Sequence, residues 1–228
     1  MQRNSCRDGK AVEIDMFSTI IRFMQEGGAF MYPIALVLLL GLAIAIERWL
    51  YLTHVRIGNH SLWKQLEPLL GAGNYRQAAQ LSSQSSSPMA QVLNYGLARI
   101  QNSKRRDDIE KAMDESLMGV VPRLERRTHY LASFANVATL LGLLGTIIGL
   151  IQAFQAVGAA NPAEKADMLS ASISVAMNTT AFGLIVAIPL LMMHSVIQSK
   201  TTQLIDNLEL ASVKFLNSIT ERPAAPQQ

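Results

Sequence analysis

Charge is scarce in this sequence. Asp, Glu, Lys and Arg make up 16% of its 228 residues, where a soluble domain carries about a quarter. Three stretches lack charged residues altogether: Gly27 to Ile46, Thr128 to Ala163 and Met168 to Ser199. Each supplies the roughly 20 predominantly apolar residues that cross a bilayer, and so short a chain has too little other material to bury all three. The lone Cys6 excludes an internal disulfide framework. Among one cysteine and four histidines no metal-ligand cluster stands out, and there is no Gly-rich phosphate loop or nucleophile elbow. The glycines of "GLLGTIIG" come without a lysine and inside an apolar run, so they do not bind phosphate. An enzyme, a metal site and a resident cofactor are therefore not expected. No alternating strand pattern competes with helix anywhere.

The cations that are present are unevenly placed. Arg48, Arg56, Lys104, Arg105, Arg106, Arg123, Arg126 and Arg127 lie between the first two apolar runs, whereas the turn between the second and third has only Lys165, beside Glu164 and Asp167. Net charge is +3, but this distribution points to membrane topology and not to nucleic acid. Cytoplasmic loops are enriched in Lys and Arg close to the spans, so the long loop is expected inside and the short turn outside. The expected organisation is a periplasmic tail and interfacial helix (1–26), span one (27–50), a cytoplasmic helical loop (51–127), span two (128–158), a periplasmic turn (159–167), span three (168–199), and a cytoplasmic C-terminal helix and tail (200–228). Met1 to Asp15 has no apolar core and does not read as a signal peptide; Met16 is an alternative start. Phe17, Ile20, Ile21 and Met24 share a helical face, which suits a short helix at the membrane interface or a mobile tail. Glu47, in "IERW" beside Arg48 and Trp49, reads as an interfacial anchor, and so do His129 and His194 near the span ends.

Within the loop, "SLWKQLEPLLGAGNYRQAAQLSSQ" reads as two short helices broken at "GAGN". "SSQSSSP" is a loop, and Pro88 suits the first turn of the next helix. Ile109, Met113, Leu117, Val120 and Leu124 form a stripe, with Asp107 and Asp108 suited to a helix N-terminus. Nothing but Pro122 interrupts this pattern before span two, so span two is expected to continue a cytoplasmic helix, kinked at most at Pro122. Span three continues likewise past its end, with Val196, Leu204, Leu208, Ala211 and Phe215 near helical spacing. "ERPAAPQQ" reads as disordered.

Two faces carry the candidate chemistry. Thr139, Gly142, Thr146, Gly149 and Ala153 recur at spacings of three and four in span two; Ser172, Ala176, Thr180, Gly183 and Ala187 do so in span three. Small residues let membrane helices approach closely, and Gly142, Gly145, Gly149, Ala176 and Gly183 suit such packing. Packing alone is one reading. The other is a pore, because Thr146, Asn178, Thr179 and Thr180 carry hydrogen-bonding groups that a mere packing seam does not need. In an antiparallel hairpin Thr146 and Thr180 fall at similar depth. The runs contain no Asp, Glu, Lys or Arg, and membrane proton relays usually need a titratable group. If protons cross here, another subunit brings the carboxylate.

These residues carry a resemblance. "GLLGTIIGLIQAF" and "NTTAFGLIVAIP" resemble the paired signatures of the MotA/TolQ/ExbB proton-channel family, "MYPIALVLLLGLAIAIERW" resembles its first span, and "GNYRQAAQLSSQSSSPMAQVLNYGL" its cytoplasmic loop. Three spans with a long first loop are similar to the ExbB and TolQ branch. The resemblance implies an all-α integral membrane protein, with two of its three spans extended into long cytoplasmic helices. It implies a homopentamer in a bacterial inner membrane, around a dimer of a single-span partner of the ExbD, TolR or MotB kind. The partner's intramembrane aspartate takes up and releases the proton. By residue match Thr146 lines the pore, Thr179 and Thr180 match the threonine pair of motor-type members, and Thr180 matches the single pore threonine of ExbB and TolQ. Where those carry a span-three glutamate, this sequence has Val175. The implied function is ion-driven movement of the partner; the alternative is a non-conducting membrane scaffold.

Overall fold

The computed structural model describes residues 27–102, 105–159 and 163–220. Cys6, the interfacial helix expected over Phe17–Met24, residues 160–162 of the short turn and the tail after Thr220 lie outside the described residues. All regular structure among those described is helical: α1 Met31–Ala72, α2 Tyr75–Ser83, α3 Pro88–Asn102, α4 Arg106–Glu125, α5 Thr128–Ala159 and α6 Lys165–Thr220. Three helical stretches are long and apolar enough to cross a membrane, in α1, along the path from α4 through α5, and in α6. Their apolar windows are only 22 to 28% buried within the chain, which leaves broad apolar faces for lipid or other subunits.

α1 runs 42 residues without a break. The first of the two short loop helices expected before "GAGN" is therefore the far end of α1. Between Ile46 and Pro68 the strongest helix breaker is Gly58, and one glycine costs only about 1 kcal/mol in a helix interior. The break at "GAGN" itself is present. Gly73 adopts φ +73, its N–H reaches the Leu70 carbonyl at 3.0 Å, and the Asn74 N–H reaches Leu69 at 2.9 Å. This double bond pattern around a left-handed glycine closes a helix C-terminus. The Asn74 side chain then accepts from the Gln77 N–H at 3.5 Å to begin α2. Pro88 opens α3 as its missing N–H allows, with the Ser87 hydroxyl accepting from the Ala90 N–H at 3.2 Å.

The continuous helix expected from Arg106 into span two is interrupted for two residues. Pro122 stays inside α4, and the break falls at Arg126 and Arg127, the latter at φ +66. Residues distant in sequence stabilise it. Arg48, only 3% exposed, donates to the Leu124 carbonyl and at 3.5 Å to the Arg123 carbonyl, two of the carbonyls that a helix end leaves without intrahelical partners. Arg127 pairs with Glu47 at 2.9 Å. Arg48 is thus a buried helix cap.

The chain divides into two compact units. The first comprises the described part of Met1–Ile44 together with Tyr130–His194. In it, a Cβ placed on Gly41 of α1 would meet Leu190 Cδ2 of α6 at 2.7 Å, so these helices touch at a glycine. The second comprises Ala45–His129 and the chain from Ser195 on. Leu52, Leu66, Leu93, Ile109, Met113, Leu124, Ile197 and Phe215 are fully buried there. Two expected core positions shift by one residue. Val196 is 46% exposed while Ile197 and Thr201 are buried, and Ser116 is buried where Leu117 was expected. A phase error of one residue is about 100° on a helix of 3.6 residues per turn.

Candidate functional site: a hydroxyl-flanked seam between two apolar helices

In the first unit α5 and α6 meet along a line of small residues. A Cβ on Gly183 would lie 2.8 Å from the Ala138 carbonyl oxygen and 3.0 Å from Gly142 Cα. One on Gly149 would lie 2.9 Å from Ala176 Cβ, and one on Gly145 would strike the Thr179 side chain. Each advance of three or four along α5 is met by a similar step back along α6, so the helices run antiparallel with backbones nearly touching. All five residues expected to pack, Gly142, Gly145, Gly149, Ala176 and Gly183, lie in this seam. On α5 the buried line passes through Ala135, Ala138, Gly142, Gly145 and Ala153, which leaves Thr139 exposed and Thr146 half-buried at its edge. That is a rotation from the face expected from Thr139, Gly142 and Thr146.

The polar groups divide between the inside and the edge. Thr180 is half-buried and its hydroxyl donates across the seam to the Gly142 carbonyl at 2.9 Å. By helical register that carbonyl also accepts the Thr146 N–H. Thr146 donates its own hydroxyl to the Leu143 carbonyl at 2.6 Å. The contact of Gly145 with Thr179 puts Thr146 within a turn of Thr180 in depth, as an antiparallel hairpin predicts. Thr179 differs from both. It is 2% exposed, and its one proton is shared between the Gly27 carbonyl at 2.7 Å and the Val175 carbonyl at 2.9 Å. Neighbours on a helix point about 100° apart, so the pair Thr179–Thr180 is split between a clasp on the chain entering α1 and the seam's edge. Asn178 is half-buried with no hydrogen-bond partner among the described residues. Val175 lies against Gly28, whose added Cβ would come within 3.3 Å of Val175 Cγ1; Gly28 sits at φ +76, where a side chain is strained.

Sequence reasoning missed Gly27 and Gly28 as partners of span three. A signal was present, since paired glycines just before an apolar helix often mark a close backbone approach. Chemically, the seam is an array of acceptors. Each threonine hydroxyl has one proton and two lone pairs, and in Thr146 and Thr180 the proton is committed to a backbone carbonyl. What remains for an incoming group is oxygen lone pairs, which suit a protonated acid or a cation. Among the described residues no group of three or more His, Cys, Asp or Glu converges as a metal site.

Comparison with known proteins agrees with this architecture. Residues 84–210, which include the seam and both of its threonine flanks, match the model of the MotA/TolQ/ExbB proton channel family. A putative biopolymer transport protein ExbB homolog of Methanothermobacter thermautotrophicus is 29% identical over 199 residues, covering 86% of this chain and 69% of that relative. With three helices able to cross a membrane and more than half its length matched, the chain is a multipass membrane protein belonging to the MotA/TolQ/ExbB proton channel family.

Proposed function

We propose that this chain is the channel-forming subunit of a motor in a bacterial inner membrane, driven by inward ion flow, that moves a single-span partner. In this reading five copies surround a partner dimer of the ExbD, TolR or MotB kind, and the polar loop and helix extensions are cytoplasmic, with the N-terminus periplasmic. The partner supplies an intramembrane aspartate, because the three charge-free runs supply no acid. Thr146 and Thr180 flank the path. Their lone pairs accept a hydrogen bond from the aspartate while it is protonated. For the ionised form each hydroxyl turns from its carbonyl to the carboxylate, since a hydrogen bond to the charged form favours it. Asn178 adds a donor and an acceptor at the same depth, and Thr179 holds the entry of α1. A sodium ion suits the same oxygens.

The observation that carries this reading is the Thr180 hydroxyl bridging to Gly142 at the seam's edge, one turn from Thr146. The test is the double variant Thr146→Val, Thr180→Val in the assembled complex. Ion-driven activity is expected to vanish while the complex still assembles. Activity that persists would mean that Thr146 and Thr180 do not flank the ion path.

A further inference from the structure

Where α1 and α6 leave their apolar runs, each carries a cation with no carboxylate partner among the described residues. Lys200 is the first charged residue after Met168–Ser199, and its ammonium sits 3.0 Å from the centre of the Trp49 ring. Such a contact fixes the ammonium and leaves its charge in place. Trp is enriched at the level of lipid head groups, so this pair marks that level on the second unit. Arg56 lies two turns further along α1, about 10 Å on.

Arg56 and Lys200 line one cavity of about 80 Å³ with Thr53, Gln203, Asn207 and two leucines. That is room for two to three waters at about 30 Å³ each, the size of one tetrahedral oxyanion. No Asp or Glu lines it. A larger adjoining cavity of about 580 Å³ shares Arg56 and Asn207 and continues past Asn59, His60 and Lys214. Asn59 is 4% exposed. Its carbonyl oxygen accepts from the Met89 N–H at 3.2 Å, which fixes the amide's orientation. The amide nitrogen is left buried without a partner, and a buried donor needs an acceptor. From the apolar side, Ile46 and Trp49 are exposed on the α1 face that leads to Thr53 and Arg56.

The geometry points to a binding site for the phosphate of an anionic phospholipid, with Arg56 and Lys200 as its cations. The acyl chains follow the face of Ile46 and Trp49, and the rest of the head group turns towards Asn207 and Asn59. This site is separate from the threonine seam and does not depend on the seam's conducting ions.

The test is native mass spectrometry of the purified full-length complex, offered phosphatidylglycerol and phosphatidylcholine in equal amounts. Preferential retention of phosphatidylglycerol is expected. Each cation near an anionic head group contributes about fivefold, so Arg56→Gln with Lys200→Gln should lower retention about 30-fold. Arg99→Gln, an exposed cation elsewhere on the unit, should leave it unchanged. Equal retention of the two lipids, or an unaffected double variant, overturns the proposal. So does displacement of the lipid by inorganic phosphate, which would make the source a soluble ion. A double variant that changes the number of copies in the complex, with lipid retention unaltered, would assign the surface to a contact between copies and also overturn it.

Discussion

Gly183→Ala puts the seam under direct strain. In an unconstrained helix this change stabilises by about 1 kcal/mol, because alanine loses less backbone entropy. Here the new methyl would stand 2.8 Å from the Ala138 carbonyl oxygen and 3.0 Å from Gly142 Cα. Both are backbone atoms and neither can rotate away. To reach the 3.5 Å or more of a relaxed contact, α5 and α6 must part by about 0.7 Å, which forfeits a quarter to a half of the dispersion at neighbouring contacts. Overpacking of this kind costs about 1–3 kcal/mol, so the net change is a destabilisation of about 0–2 kcal/mol after the helical gain. The same movement stretches the 2.9 Å bond from Thr180 to Gly142 towards the limit of a useful hydrogen bond. Gly142→Ala meets its nearest atoms at 3.3 Å and should be milder. Gly119 in α4 has nothing within 4 Å, and Gly119→Ala should stabilise by about 0.5–1 kcal/mol. Denaturant unfolding of the detergent-solubilised complex measures all three. If Gly183→Ala proves as stabilising as Gly119→Ala, the close approach of α5 and α6 is wrong.

Other changes follow from single contacts. Arg48→Met strips the last carbonyls of α4 of a buried charged donor, which costs about 1.5–3 kcal/mol; faster hydrogen exchange should appear around Arg123 to Arg127, and normal protection there would refute the cap. Thr179→Val keeps the shape against Gly145 but leaves the Gly27 carbonyl without its donor, costing about 1–2 kcal/mol. Thr179→Ser should restore protection at Gly27 and Gly28 in the same exchange experiment, and a serine no better than valine would count against the clasp. The Arg127–Glu47 pair is 44% and 46% exposed and contributes at most about 1 kcal/mol. Arg127→Gly loses the pair but relieves the positive φ, so unfolding should show stability within about 1 kcal/mol of the parent. Arg127→Val, β-branched at that φ, should be clearly less stable.

Much of the helical layout could be read from local chemistry. Charge-free runs marked the apolar helices, the glycine and asparagine of "GAGN" ended α1, and Pro88 opened α3. These signals act within a few residues and need no knowledge of the fold. The interruption at Arg126–Arg127 was not legible, because its stabilising partners, Glu47 and Arg48, lie about 80 residues away and only folding brings them near. The mistaken choice of Val196 over Ile197 came from a spacing pattern that fits neighbouring phases almost equally well. The seam shows the same division. That Gly142, Gly145, Gly149, Ala176 and Gly183 pack was legible from their size. That Thr179 turns inward while Thr180 flanks the seam was not, since sequence gives composition and only the rotation of α6 against α5 decides which hydroxyl is enclosed.

The central claim is that this chain offers hydroxyls but no acid, and serves a carboxylate carried by another polypeptide. Proton flux into liposomes tests it directly, comparing the purified chain alone with the complex containing its co-purified single-span partner. Flux is expected only with the partner present, and should be lost when the partner's intramembrane aspartate is changed to asparagine. Full flux through the chain alone would contradict the claim.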